Sequence, residues 1–420
     1  MNGPLFDTAL LAAFRWQTRH AMKLREEEAG MPAAPQGRAV SLYLHVPFCE
    51  VLCPFCSFHR VQYRRETARR YFQALRTEIR RYAEAGFTFS NVYVGGGTPT
   101  VDPDELVETL HLIRELFQVK DISVETNPKD LRPEVVAQLK EAGVNRLSVG
   151  VQSFDDRLLK EMERFEKYGS SQEIIEHLEA AAPHFATLNV DMIYNLPHQD
   201  QASLERDLDV VLGLKANQVS LYPLMSTKST SLKMNKTMGT PDPALVRGYY
   251  ETILRKLRPA FAPQSGWCFS RNAGAIDEYI VEAEDYDGLG SGAFSYVDGT
   301  MYATTFSIHS YVDRINNGLT GITGRRPLSP SEQIKQSFLM RLFGLKLDKA
   351  WARGQYGAAF ETIGAIEEDD TCWRLTDRGM YDWVLMMSAF FESVNAFREQ
   401  MRSRISAALE EHAELARVGP

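Results

Sequence analysis

The sequence predicts an α/β fold: a partial (β/α)6 barrel of the TIM type with a small, mainly helical C-terminal domain. Six short runs of apolar and β-branched residues begin at residues 41, 91, 121, 145, 188 and 218, and amphipathic helical segments separate them. Strands that alternate with helices at this spacing pair in parallel with right-handed crossovers, because a parallel neighbour needs a long connection and only one hand packs well. From about residue 328 the sequence turns helical.

The six barrel strands are expected in the runs SLYLHV, NVYVG, DISVET, NRLSVGVQ, LNVDMIY and QVSLYPL. The helix after the first strand carries an apolar stripe at helical spacing, formed by Tyr71, Leu75, Ile79 and Tyr82.

Capping residues mark the boundaries of the next two helices. Asp102 is predicted to cap the second helix, with Pro103 in its first turn and Glu105 completing an Asp-x-x-Glu variant of the capping box. Gly143 is predicted to end the third helix.

Three regions are predicted along the chain: an N-terminal extension over residues 1–40, the barrel with further strands and a hairpin over 41–325, and the helical domain over 326–420. Beyond the six barrel strands, SGWCFSR, SYV and TMYATTF are expected to form strands. Asp298-Gly299 joins the last two and is a strong signal for a two-residue hairpin turn.

Composition excludes several classes of protein. The 420 residues are 44% hydrophobic and 24% charged, which is typical of a globular protein. The longest apolar run, Trp383 to Phe391, is far below the roughly 18 residues of a membrane span, and the N-terminal apolar run is too short for a signal peptide. We therefore expect a cytoplasmic protein. Its net charge of -8 gives no general attraction for nucleic acid.

Three cysteines, Cys49, Cys53 and Cys56, lie close together in HVPFCEVLCPFCSFHR. In a reducing compartment such a group indicates metal binding or catalysis rather than disulfides. A structural zinc site would need a fourth ligand, which His45 or His59 could supply. Three thiolates that hold a 4Fe-4S cluster would instead leave one iron open to the amino and carboxylate groups of S-adenosylmethionine (SAM).

Unusual residues follow the first five predicted strands, at the edge where parallel barrels carry their functional residues. They are the cysteine segment, Gly95 to Pro99, Glu125 with Asn127-Pro128, Gly150 to Phe154, and Asp191 with Asn195 to Pro197.

Each of these residues has two interpretations. The glycines could bring the backbone close to a ligand or form a tight turn. Glu125 could bind the ribose hydroxyls of SAM or form a salt bridge with Arg146. Gln152, Arg164 and Asp191 could be binding residues or exposed polar residues of a loop, a helix and a strand end.

Five motifs in order, YLHVPFCEVLCPFC, GGGTPT, SVETNP, RLSVGVQSFDD and DMIYNLP, resemble radical SAM enzymes of the oxygen-independent coproporphyrinogen III oxidase (HemN-like) family. The resemblance covers roughly residues 41–300. It implies a radical SAM barrel with a 4Fe-4S cluster on Cys49, Cys53 and Cys56 and two bound SAM molecules. For the first SAM it implies contacts from Tyr43, Gly96 and Glu125. For the second it implies contacts from Phe55, Gly97, Thr98, Gln152, Arg164 and Asp191.

The second half, including SGWCFSRNAGAIDEYIV and MMSAFFESVNAFREQMR, is similar to the HutW/ChuW-type anaerobic haem-degrading methyltransferases, or anaerobilin synthases. This similarity implies a class C methyltransferase that opens haem to a linear tetrapyrrole and releases iron, with flavodoxin or ferredoxin as reductant. Two alternatives stay open: a HemN-like methyltransferase acting on menaquinone or a natural-product precursor, and a non-catalytic haem-trafficking protein.

The sequence departs from two relatives and offers several substrate-pocket candidates. Phe294 stands where the haem-chaperone branch often carries His, and Ser57-Phe58 stand where the oxidase has an extra cysteine. Candidates for the pocket are Met225, Cys268, Arg271 and Phe294. Arg271, Arg325 and Arg326 could bind propionates, and His198 and His309 are candidates for ligands of haem iron.

Overall fold

The computed structural model describes residues 24–26, 29–225, 228–272, 285–349, 364–368 and 370–417, together with Ala12 and Glu361. The six expected strands all form and pair in parallel in chain order. They are β1 Val40–Val46, β2 Phe89–Gly96, β3 Asp121–Thr126, β4 Arg146–Gln152, β5 Thr187–Tyr194 and β6 Gln218–Pro223. The predicted fold class is confirmed.

Helices connect these strands and form the C-terminal region. They are α1 Arg65–Glu84, α2 Pro103–Leu116, α3 Pro133–Glu141, α4 Asp156–Glu161, α5 Phe165–Tyr168, α6 Ser171–Ala181, α7 Gln201–Gly213, α8 Lys228–Thr237, α9 Val246–Leu257, α10 Ile308–Asn316, α11 Pro330–Phe343 and α12 Asp377–Arg417. Short 3-10 turns lie at Pro99–Val101, Pro128–Asp130, Ala182–His184 and Pro243–Leu245.

Additional strands extend the sheet at both ends. These are β7 Cys268–Ser270, β8 Tyr286–Leu289, β9 Phe294–Val297, β10 Thr300–Thr304 and β11 Ile322–Pro327. The main order is β11-β10-β9-β8-β1-β2-β3-β4-β5-β6-β7. Strand β8 pairs in parallel with β1, so it adds a seventh parallel strand that the sequence did not reveal. The predicted hairpin joins β9 and β10, and both turn residues have positive φ (45° at Asp298 and 70° at Gly299).

Short strands outside this core pair locally. Ala262–Pro263 pairs with β7, and Phe48–Cys49 pairs with Val61–Gln62. Arg25–Glu26 pairs with β11 at the edge of the main sheet, and most of the predicted N-terminal extension before it lies outside the described residues.

The C-terminal region contains a small sheet that the sequence did not indicate. Its strands are β12 Lys346–Asp348, β13 Ile366–Glu368 and β14 Cys372–Leu375. The two helices α11 and α12 flank it in sequence. In the part of the chain that is described, no helix combines the length and the apolar character needed to cross a bilayer.

The two faces of the barrel sheet differ in polarity. Residues such as Leu42, Leu44 and Val94 are fully buried and belong to one large apolar cluster with the surrounding helices. Residues of the opposite face contact one another across strands: Tyr43 stacks on Tyr93, with a 6.2 Å distance between ring centroids. Polar residues from four strands line the rest of this concave face, and they are Glu125, Ser148, Asn189, Asp191 and Ser220. The concave side of the barrel, the chamber, is therefore mainly polar rather than apolar.

One predicted cap is wrong. Asp102 does precede α2, but its side chain makes no capping hydrogen bond. Instead, the Tyr63 hydroxyl donates to Asp102 Oδ2 at 2.8 Å, and Glu105 forms an ion pair with the buried Arg76 at 2.9 Å. Contacts with α1 and with the loop before α1 thus replace the local capping box.

Helix α12 connects the two ends of the main sheet. Near its start, the buried Trp383 ring lies 5.1 Å from Trp267, the residue before β7. Three turns later, Val394 packs in a cluster with Tyr296 of β9 and Met301 of β10. The helix therefore crosses the open side of the incomplete barrel.

Candidate functional site

The cysteine segment lies directly on the glycine segment that follows β2. The Gly97 N–H donates to the Val46 carbonyl at 2.8 Å, and the Thr98 N–H donates to the Phe48 carbonyl at 2.7 Å. A Cβ atom on Gly97 would lie 2.6 Å from the Phe48 carbonyl oxygen. Only glycine permits this approach, so the third glycine of the motif holds the cysteine segment against the barrel.

Two of the three cysteine sulfurs receive side-chain hydrogen bonds. Thr98 Oγ1 donates to Cys49 Sγ at 3.6 Å, and Arg164 Nη1 donates to Cys53 Sγ at 3.6 Å. Asn127 connects the two donors: its Nδ2 donates to Thr98 Oγ1 at 2.8 Å, and its Oδ1 accepts from Arg164 Nη2 at 3.1 Å. Asn127 is therefore a site residue, although the sequence singled it out only as part of an Asn-Pro strand end.

Arg60 is a second residue that the sequence analysis missed. Its Nη2 donates to the carbonyl oxygens of Cys53 and Cys56, both at 2.6 Å. Burial opposes the charge of Arg60, but the nearby Cys56, Cys53 and Cys49 raise its pKa above the usual value. A permanent positive charge thus lies beside the three sulfurs.

Burial raises the pKa of the Cys49 thiol to about 12, and the nearby Cys56 and Cys53 add to this effect. The Thr98 hydrogen bond and the charge of Arg60 act in the opposite direction. Cys49 consequently keeps its proton until a metal replaces it. Among the described residues, no three His, Cys, Asp or Glu side chains converge on the position of a single metal ion.

His45 and His59 are engaged in hydrogen bonds within the barrel rather than held toward the cysteines. His45 Nε2 is 2.9 Å from the His59 carbonyl oxygen, which can only accept, so Nε2 carries the proton. His45 Nδ1 is then an acceptor, and the Tyr43 hydroxyl, 2.9 Å away, donates to it.

Glu125 is held at the mouth of the chamber by β2. The Gly96 N–H donates to Glu125 Oε2 at 3.0 Å, and the Tyr93 hydroxyl donates to Oε1 at 2.9 Å. Burial, followed by repulsion from Asp191, raises the pKa of Glu125 to about 7. Arg146, the alternative partner of Glu125, donates from Nε to Gln218 Oε1 at 2.9 Å, and its charge lowers the pKa of Glu125.

The first two glycines of the motif make room for neighbouring side chains. A Cβ on Gly95 would lie 2.7 Å from Glu125 Oε1, and a Cβ on Gly96 would lie 2.6 Å from the His45 ring. One interpretation of the sequence was that these glycines bring the backbone close to a ligand. In the structure the groups closest to Gly95 and Gly96 are protein side chains, Glu125 and His45.

Gln152, Arg164 and Asp191 lie around the end of β4. Gln152 follows a bulge and adopts a positive φ of 78°, which is a strained conformation for a side-chain residue. Arg164 also donates to the Gly150 carbonyl and lies 4.2 Å from the Tyr168 ring. Asp191 accepts from Ser148 and Asn189 deeper in the chamber.

The structure separates the four substrate-pocket candidates. Phe294 faces the concave side, and Met225 follows β6 at the chamber edge; both are half-buried. Cys268 pairs with Ser220 but is fully buried. Arg271 lies apart from the others: its guanidinium donates to the Leu212 carbonyl at 2.7 Å, at the opposite end of the sheet from the cysteines.

The remaining arginine and histidine candidates have partners away from the chamber. His198 lies 3.1 Å from a Glu161 carboxylate oxygen, and His309 lies 3.3 Å from Asp313; both histidines are more than half exposed. Arg326 pairs with Glu332 at the start of α11, and Arg325 lies in β11 opposite Tyr302.

Comparisons with known proteins agree with this geometry. The family description "Radical SAM superfamily" matches residues 43–211. The chain is 29% identical over 316 residues to the haem chaperone HemW of Bacillus subtilis, covering 72% of this chain and 83% of that protein. It is 30% identical over 282 residues to HemW of Lactococcus lactis, covering 65% of this chain and 73% of that protein.

A solved structure shares the fold. Coproporphyrinogen III oxidase (HemN) from Escherichia coli, described as a radical SAM enzyme, superposes with a TM-score of 0.73 at 22% sequence identity. The superposition covers 88% of this chain and 95% of HemN, so the similarity extends beyond the barrel into the C-terminal region.

Proposed function

The chain belongs to the HemN/HemW family of radical SAM proteins, and from this premise we propose that it is a methyltransferase that opens haem under anaerobic conditions. Two features support the proposal. The cysteine segment and the other motifs of the first half of the chain meet at one mouth of the chamber. The second half of the chain resembles the HutW/ChuW-type enzymes.

The residues present fit a 4Fe-4S cluster. Cys49, Cys53 and Cys56 offer three soft ligands on one segment, while Cys268 and Cys372 lie in β7 and β14. When bound, such a cluster supplies the electron that cleaves SAM. Arg60 and Arg164 would offset the negative charge of the thiolates and would hold the segment in place through its carbonyls and Cys53.

Residues on the β1–β3 side would bind the first SAM. Tyr43 and Gly96 are proposed to contact this SAM together with Glu125. Glu125, with a pKa of about 7, can accept from ribose hydroxyls once a neighbouring positive charge favours its ionised form. The second SAM is proposed to contact Phe55, Gly97, Thr98, Gln152, Arg164 and Asp191.

The observation that favours haem turnover over haem transfer is Phe294. This residue stands where the haem-chaperone branch often carries His, and it packs against Phe306 at 6.1 Å and Phe397 at 5.8 Å between ring centroids. An aromatic wall binds the face of a macrocycle without ligating its iron. This arrangement leaves the tetrapyrrole free to react.

A second candidate is a haem-trafficking protein. The proteins of Bacillus subtilis and Lactococcus lactis that match the chain are named haem chaperones. The two candidates differ in whether bound haem is consumed.

The decisive experiment incubates anaerobically reconstituted protein with SAM, a flavodoxin or dithionite reductant, and haem. We expect loss of the Soret band together with 5'-deoxyadenosine and S-adenosylhomocysteine. Haem that binds and stays unchanged would favour the trafficking protein. Nucleoside products that form with a quinone and not with haem would refute the haem assignment.

Cys53→Ala is the matched control because it removes one cluster ligand and leaves the other barrel contacts. We expect this variant to fold, to retain less iron, and to form no 5'-deoxyadenosine. Cleavage of SAM at the wild-type rate would refute the assignment of Cys53 as a ligand.

A further inference from the structure

The middle of α12 reaches the cysteine segment. Asn395 Nδ2 donates to Ser57 Oγ, one residue after Cys56, at 2.9 Å. One turn later, the Arg398 guanidinium lies 5.4 Å from the Phe58 ring and 5.8 Å from the Phe294 ring. A single helix turn therefore joins the cysteine segment to the concave wall of the chamber.

Arg398 is a buried cation on the chamber side of this helix. Its residue surface is 8% exposed, and its Nη1 donates to Asn395 Oδ1 at 2.9 Å. Burial and then Glu125 raise the pKa of Tyr43, whereas the charge of Arg398 lowers it. The guanidinium is therefore close enough to Tyr43 for its charge to act on the phenol, and Asn395 holds one of its N–H donors.

A cluster of aromatic side chains lies beside this cation. The Phe294, Phe306 and Phe397 rings meet one another at centroid distances between 5.8 and 6.2 Å. Phe397 and Arg398 are neighbours on α12, so the apolar wall and the positive charge are adjacent. A ligand that fits both would combine a flat apolar body with an acidic substituent.

We propose that Arg398 binds a carboxylate side chain of the tetrapyrrole, with the macrocycle against Phe294 and Phe397. This inference rests on the proposed function, because haem is the substrate it assumes. A planar guanidinium binds a carboxylate through two parallel N–H donors, and its flanking rings exclude water from that contact. Arg398 therefore takes the role that the sequence analysis gave to Arg271, Arg325 and Arg326.

The test measures haem binding by absorption titration of the full-length, anaerobically reconstituted protein. We expect Arg398→Gln to weaken binding by roughly 10- to 100-fold, the usual result of removing one charge-assisted hydrogen bond. Arg398→Lys keeps the positive charge but loses the two parallel N–H donors, so its affinity for haem should lie between those of the wild type and Arg398→Gln. Arg80→Gln, an exposed site on α1, is the charge-matched control and should bind like wild type.

Haem dimethyl ester provides a test that needs no mutation. The wild-type protein should bind the ester about as weakly as Arg398→Gln binds haem, and Arg398→Gln should bind haem and ester alike. Equal binding of haem and ester by the wild type would overturn the inference while leaving the proposed function intact. A variant that binds haem normally but loses SAM would also overturn it, because the carboxylate would then belong to SAM.

Failure of the wild type to bind haem at all would remove both the proposed function and this inference. That outcome is distinct from the previous two, in which haem binds and only the contribution of Arg398 is absent.

Discussion

Replacing Gly96 by Ala tests whether the glycine segment supports the chamber through its own packing. Gly96 has a φ of +118°, and an added Cβ would lie 2.6 Å from the buried His45 ring. Gly86 is a matched control, because its φ of +85° is also positive but an added Cβ would meet nothing within 4 Å. The pair separates backbone strain from side-chain collision.

The expected losses of stability differ because of His45. A positive φ costs roughly 1–2 kcal/mol for a residue with a Cβ, and both variants share this cost. Gly96→Ala must also move His45, whose ring nitrogens bond Tyr43 and the His59 carbonyl. Overpacking costs about 1–3 kcal/mol, and each lost hydrogen bond about 1 kcal/mol. With both hydrogen bonds of His45 lost, we therefore expect about 4–7 kcal/mol for Gly96→Ala against about 1–2 kcal/mol for Gly86→Ala.

Urea unfolding of the two variants and the wild type measures this difference, and calorimetric titration with SAM measures binding. Gly96→Ala should also weaken SAM binding, because displacing His45 releases the Tyr43 hydroxyl. Gly86→Ala should bind SAM normally. Equal destabilisation of the two variants, with SAM binding preserved in both, would refute the packing argument.

Three further substitutions test other parts of the structure. Arg164→Ala should lower the iron content after anaerobic reconstitution, since it leaves Asn127 and Cys53 without their donor; wild-type iron and SAM affinity would contradict this. Asp287→Asn should flatten the pH dependence of stability: burial raises the pKa of Asp287 to about 7, so the wild type loses stability as pH rises from about 4 to 7. Urea unfolding across that range should show the free energy of unfolding of the variant rising relative to that of the wild type. An identical pH dependence in both proteins would contradict a protonated, buried Asp287. Trp383→Ala should cost about 3–5 kcal/mol because α12 loses its contact with Trp267, and a loss below 1 kcal/mol in urea unfolding would contradict the bridging role of α12.

Local patterns were sufficient for the barrel. Each of β1 to β6 carries its own apolar alternation, and the connecting helices carry amphipathic stripes, so no distant contact was needed to predict them. The edge that holds the site followed from parallel pairing alone, because residues after successive strands must then lie on one side. Strand β8 escaped prediction because YDGL is too short and polar to be recognised without its neighbour β1.

The contacts that decide the site depend on distant parts of the chain. Arg60 and Arg398 look like ordinary charged residues in the sequence, and only folding brings Arg398 to Phe58. Arg271 had the right chemistry for propionates, yet antiparallel pairing of β7 carries it to the wrong end of the sheet. Asp102 stands where it could cap α2, but its carboxylate accepts a hydrogen bond from Tyr63, which lies in the loop before α1.

The central claim is that three cysteines hold a cluster with one iron free to bind SAM. Electron paramagnetic resonance of the reduced, oxygen-free protein, recorded with and without SAM, tests it most directly. We predict a 4Fe-4S signal whose g values shift when SAM is added. This signal should be absent in Cys53→Ala. A zinc-loaded protein, or a cluster signal that does not respond to SAM, would contradict it.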